Sequence, residues 1–193
     1  MVVLKKQVDA RVIEMQSDDK AHYLIYHVLG VSASEGDQID LYQNKGRFLY
    51  KYAGTFLENA VKMCFEERFP DAAALKIPNT LGSRPKIFEI DCLVNNDAYE
   101  VKWRDATTDG DHITKEHTRL KVISAANFTP IRLMFYFPNR RQAIRIQAVL
   151  EDLYKAVGGK YYHGIAAWDH LTMKSGVDLL TILNQIAEKR GLS

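Results

Sequence analysis

Between residues 54 and 69, apolar side chains recur at three- and four-residue intervals: Leu57, Ala60, Val61, Cys64 and Phe65. That is the spacing of one buried helix face, and Pro70 is placed to end the element. Similar spacing predicts helices over about 3–15 and 19–29, with a break and cap near Ser17. Residues 30–36 read as a turn. The stretch 38–51 is polar with scattered Leu, Phe and Tyr and predicts no definite element, and 71–84 reads as a connector around Pro78 and Gly82.

At residue 88 the period changes from that of a helix to that of a strand. The runs Phe88–Val94 and Tyr99–Trp103 are rich in β-branched and aromatic residues, and Asn95, Asn96 and Asp97 between them tolerate a tight hairpin turn. With Val94 paired to Tyr99 across a loop of 95–98, Asp91 lies opposite Lys102 and Leu93 opposite Glu100. Asp91, Glu100 and Lys102 then share one face, with Glu89 at its margin. Phe88, Ile90, Cys92, Tyr99, Val101 and Trp103 face the core. Leu93 is the one apolar residue on the acidic face, so a neighbouring element is needed to cover it.

A polar loop, 104–112, precedes a helix over about 113–126, and Pro130 introduces Ile131–Phe137, the best candidate for a central strand. Helices over 141–157, ended by Gly158-Gly159, and over 176–189, starting behind Ser175, complete the chain. Hairpin, helix, strand, helix is the order of an α/β fold of α+β type, a central mixed β-sheet flanked by helices. No repeat or linker marks a second domain. The expectation is a single domain over 1–193, helical over about 1–70 and with its core over about 54–157.

Composition narrows the function classes. The 193 residues are 47% hydrophobic, enough for one full core, and 26 Lys and Arg against 24 Asp and Glu leave a net charge of only +2. Any nucleic-acid surface must therefore come from local clustering of charge. The two cysteines, Cys64 and Cys92, lie in apolar patterns, which suits buried thiols and excludes a thiolate metal cluster. No apolar run approaches the length that crosses a membrane, and the first residues are interrupted by charge, so a soluble, cytoplasmic protein with no membrane partner is expected.

The hairpin carries the chemistry. Half-buried carboxylates repel one another unless a cation compensates, and an acid on one strand with Glu-Val-Lys on the next can bind a hard cation through oxygens and set an ammonium beside it. The plain alternative is an apolar/charged hairpin with one solvated face. Arg104, Asp105, Thr107, Thr108, Asp109 and His112 follow at once, with donors and acceptors suited to base edges, while Lys115 and Arg119 suit phosphates. Taken singly, each is more simply explained as a solvated surface residue. Lys160–His163 form a second polar-aromatic patch, suited to DNA or to a dimer interface.

Ile90-Asp91 followed by Glu100-Val101-Lys102 resembles the catalytic signature of PD-(D/E)XK nucleases, with isoleucine in place of proline. The stretch from Phe88 to Leu120, and Lys102–Ile113 above all, resembles the ApaLI-type type II restriction endonucleases. That resemblance implies a restriction-endonuclease-like fold and Mg2+ held by Asp91, Glu100 and the Val101 carbonyl. Lys102 would orient or help deprotonate the attacking water and stabilise the transition state, and Glu58 is the choice for an additional glutamate contributed by the N-terminal helix. Glu58 is equally explained as a boundary residue paired with a lysine. The implied partners are double-stranded DNA, a second copy of the chain to cut both strands of a palindrome, and a cognate DNA methyltransferase. Three other classes stay open: a structure-specific nuclease of junction-resolvase or repair type, which would use the same groups and metal, a non-catalytic DNA-binding protein of nuclease fold, and an interaction protein with the acidic hairpin as a solvated edge.

Overall fold

The computed structural model describes residues 20–82, 84–104, 110–189 and 191. The helix expected over 3–15 lies outside these residues. The chain divides into two compact units, 1–53 and 54–193.

In the first unit, helix α1 (Tyr23–Val28) and the beginning of α2 (Ala33–Arg68) are tied by polar contacts. The Tyr23 hydroxyl donates to Asp37 at 2.8 Å, that of Tyr26 to Asp40 at 2.8 Å, and Lys20 pairs with Asp37 at 2.6 Å. The turn expected over 30–36 is shorter, because α2 already starts at Ala33. Ser32 and Glu35 form a capping box: the Ser32 N–H donates to Glu35 Oε2 at 2.9 Å and the Glu35 N–H to Ser32 Oγ at 3.4 Å. The unassigned stretch 38–51 and the helix expected from 54 are thus one helix, which enters the second unit at Gly54.

The second unit is built on a five-stranded sheet in the order β1 (Ala73–Pro78), β2 (Ile87–Val94), β3 (Asp97–Arg104), β4 (Thr129–Tyr136) and β5 (Lys160–His163). Pairing is antiparallel from β1 to β3 and parallel from β3 to β5, which makes the sheet mixed, as expected. Strand β1 occupies what was read as a connector; its alanines carry little periodic signal. Helix α3 (Gly110–Ala125) joins β3 to β4, and α4 (Arg141–Ala156) joins β4 to β5. The C-terminal part holds two helices where one was expected, α5 (Ile165–Ser175) and α6 (Leu179–Glu188). Asp178 caps α6, accepting from the Thr181 N–H at 3.0 Å, while Ser175 Oγ donates back to the Leu171 carbonyl at 2.7 Å.

One face of the sheet is apolar. Cys92, Val94, Tyr99, Val101, Ile131, Leu133 and Phe135 meet Leu57, Val61, Cys64 and Phe65 of α2, Trp168 and Leu171 of α5, and Leu179 of α6. Both cysteines are free and buried. The other face receives α3: Ile123 packs against Ile90 and Ala98, with Leu75, Leu93 and Phe128 alongside. Leu93 thereby gains the cover that its place on the acidic face requires.

The hairpin differs from expectation in two ways. Val94 pairs with Asp97 rather than Tyr99, so the turn is the two residues Asn95-Asn96, with Asn95 at φ +53°. A slip of two residues keeps every side chain of β3 on its expected face. The second difference is a register slip between β1 and β2: Ala73 pairs with Leu93 but Leu75 with Ile90, so Asp91 and Cys92 together stand against Ala74. This bulge turns Ile90 onto the face of Leu93 and Ala98, away from Cys92, where simple alternation had placed it.

Candidate active site

The bulge sets the site. Pairing of β2 with β3 runs from Val94–Asp97 to Cys92–Tyr99, and just past it Asp91 Oδ2 accepts the Val101 backbone N–H at 2.7 Å. A carboxylate thus takes up the donor of β3 at the point where the strands separate. Glu100, on the α3 face of β3, is buried with one oxygen on each of two cations: Oε1 meets Lys102 Nζ at 2.5 Å, and Oε2 accepts from Arg119 Nη2.

Their environments push the two acids apart. Burial and the Glu100 charge push Asp91 up to about 7, against the pull of Lys102 and Arg119. Burial also disfavours ionised Glu100, but Arg119, Lys102 and Arg132 overcome it and hold this acid well below the usual carboxylate range. Lys102 shows the converse balance: burial would lower it, and Glu100 with Asp91 raise it, so the lysine is an ammonium. Glu58 of α2 is half-buried and raised, first by burial and then by Glu100 and Glu89, with Lys102 opposing. Glu58 is thus within electrostatic reach of Lys102, Glu100 and Glu89.

Carboxylates and main-chain carbonyls such as that of Val101 are hard oxygen donors of the kind magnesium takes. Asp91 fits such an ion, since a divalent cation would remove the opposition that burial and Glu100 present to its charge. Among the described residues, no three His, Cys, Asp or Glu side chains gather into a metal cluster, so the candidate set is Asp91 and Glu100 with main-chain oxygen.

The residues expected on DNA are distributed differently. Asp105, Thr107, Thr108 and Asp109 lie outside the described residues. Arg104 ends β3 and donates to Asn139 at 3.4 Å; Lys115 is exposed and His112 half-buried at the start of α3. Arg119, expected to face a phosphate, is only 6% exposed and turned inward. Its Nη1 reaches Glu116 Oε1 at 3.2 Å, which also accepts from the Tyr154 hydroxyl at 2.8 Å and from Arg132 Nη1 at 3.4 Å. Tyr161 of β5 donates to Gln147 of α4 at 2.7 Å, whereas Tyr162 stacks on His170 at 4.2 Å on the opposite face.

Sequence reasoning missed this polar layer of Glu116, Arg132 and Tyr154. One signal was available: Arg132 interrupts an otherwise apolar strand, and an arginine there must be paired to be buried.

A family model described as ApaLI-like restriction endonuclease matches residues 2–188. No curated protein and no solved structure matches significantly. No helix among the described residues is long and apolar enough to cross a membrane. With a match over nearly the whole length and the expected mixed sheet flanked by helices, this chain belongs to the ApaLI-like restriction endonuclease family of the PD-(D/E)XK superfamily.

Proposed function

We propose that the protein is a magnesium-dependent type II restriction endonuclease that hydrolyses both strands of duplex DNA at a short palindromic sequence. The observation that carries this reading is the grouping of Asp91, Glu100 and Lys102 where β2 and β3 part, within electrostatic reach of Glu58. Asp91, Glu100 and the Val101 carbonyl are the groups that would hold Mg2+. When bound, the ion supplies Lewis-acid polarisation of the scissile phosphate and neutralises charge on the leaving oxygen.

The chain's own groups supply positioning and charge. Water attacks phosphorus in line, the bond from phosphorus to the 3' oxygen breaks, and the net transfer of one proton from the water to that oxygen leaves a 3'-hydroxyl and a 5'-phosphate. Lys102, charged and part-exposed, is suited to stabilising negative charge on the phosphate and to orienting the water rather than to accepting its proton. Glu58, with its raised affinity for a proton, stands as an outer carboxylate able to hold a water at the margin of the site. Arg104, Asp105, Thr107, Thr108, Asp109, His112 and Lys115 follow the catalytic strand in sequence and are assigned to DNA contact. Cutting a palindrome in both strands calls for two sites related by a two-fold axis, hence a homodimer, and a cognate methyltransferase to protect host DNA.

The test is digestion of unmethylated plasmid and phage DNA by the wild type and Lys102→Ala, with magnesium and with chelator, followed by sequencing of fragment ends. Discrete magnesium-dependent fragments from the wild type alone, all ending in one palindrome, are the expected result. Intact duplex under every condition overturns the reading, and cleavage of branched DNA alone replaces it with a structure-specific nuclease.

A further inference from the structure

The two cations on Glu100 are not equivalent. Lys102 lies on the same strand, with about a third of its side chain exposed (30%) and a single ammonium on a flexible stem. Arg119 is buried, and its guanidinium has further partners. Nη2 also donates to the Glu89 carbonyl at 3.2 Å, and Nη1 to Glu116 Oε1 at 3.2 Å. Glu116 is held in turn by Tyr154 and by Arg132, which is fully buried. A planar guanidinium spanning two carboxylates has its orientation fixed.

The consequence falls on Glu100. A glutamate carboxylate rotates in a broad, two-fold torsional well, so its oxygens exchange unless one is held. Arg119 holds Oε2, which leaves Oε1 as the oxygen whose partner, the part-exposed Lys102 on its flexible stem, can be exchanged.

We infer that Arg119 is a positioning residue: it holds Oε2 of Glu100 so that Oε1 is the oxygen offered to a divalent cation beside Asp91, with Glu116, Tyr154 and Arg132 as its backing. The inference rests on the reading of Asp91 and Glu100 as the cation-binding pair. Carboxylates that ligate metals are oriented by such outer partners, and their loss weakens metal binding by about 10- to 100-fold.

The experiment measures Mn2+ binding by calorimetry, without DNA, to the full-length wild type, Arg119→Lys, Tyr154→Phe and Asp91→Asn, with folding followed by circular dichroism and thermal unfolding. Lysine keeps the charge but cannot span Glu100 and Glu116, so folded Arg119→Lys is expected to bind Mn2+ about tenfold more weakly or worse. Tyr154→Phe, which loosens only the backing, is expected to show a smaller loss, and it decides the matter should Arg119→Lys not fold. Wild-type affinity in the deciding variant, with only the melting temperature lowered, makes Arg119 merely structural and overturns the inference, while loss of binding in Asp91→Asn leaves the cation-pair reading standing. Binding that Asp91→Asn does not change, or no binding by the wild type, overturns that reading and the inference with it.

Discussion

Asp91 and Val101 are joined across the end of the β2–β3 pairing by a 2.7 Å hydrogen bond from the Val101 N–H to the Asp91 carboxylate. The site's acid thus also completes the backbone of the strand that carries Glu100 and Lys102. An asparagine at 91 keeps the acceptor and removes a charge that burial and Glu100 both oppose. Asp91→Asn is therefore expected to leave no cleavage above the chelator background while melting no lower than the wild type. A marked fall in melting temperature would show that the carboxylate's charge holds the hairpin together.

Glu58 is tested by Glu58→Gln, which preserves size and removes the charge. Acting from outside the pair of Asp91 and Glu100, it is expected to lower the cleavage rate by about 10- to 100-fold with an unchanged melting temperature. A full rate would identify Glu58 as a boundary residue compensated by Lys102.

The apolar face makes a stability prediction. Phe65 is fully buried, with its ring centroid 4.5 Å from that of Tyr99. Phe65→Ala is expected to cost about 3–5 kcal/mol in urea unfolding, the sum of lost burial and a cavity. A loss below about 1 kcal/mol would mean that α2 can collapse onto the sheet without it.

His170 makes a pH prediction. Its Nε2 meets the Tyr99 hydroxyl at 3.0 Å, and burial, then Lys160 and Lys174, hold its pKa below the ordinary 6.5, with Asp97 opposing. The unfolded chain then takes up a proton near pH 6.5 that the folded chain refuses. The contribution to stability is constant above that pH and is lost as pH falls below it, levelling off once the folded state also protonates. Between pH 7.5 and 5.5 the melting temperature of the wild type should fall more steeply than that of His170→Gln. Parallel slopes would count against this assignment.

The hairpin was legible in sequence because its partners are close along the chain: Asp91 and Val101 are ten residues apart, and strand alternation alone brings Glu100 and Lys102 to one face. The bulge was not, since it depends on β1, whose alanines give no period. Nor was the inward turn of Arg119 visible. Glu116 is three residues from Arg119, but its other partners, Arg132 and Tyr154, are 16 and 38 residues from it and come together only when β4 and α4 dock. The early start of α2 had a local signal in Ser32 and Glu35, outweighed by the apparent turn character of Gly30 and Gly36.

The parallel pairing of β3 with β4 sets Tyr99 against Ile131, Glu100 against Arg132 and Val101 against Leu133. Over Tyr99–Lys102 and Ile131–Leu133, odd numbers fall on the greasy side of the sheet and even numbers on the ionic side. A mutational scan along these strands should alternate in kind from one position to the next. Odd positions such as Val101, Ile131 and Leu133 set how much heat the protein withstands and accept an apolar residue of similar volume. Even positions such as Glu100 and Arg132 tolerate no such exchange, because their value lies in direction rather than in bulk.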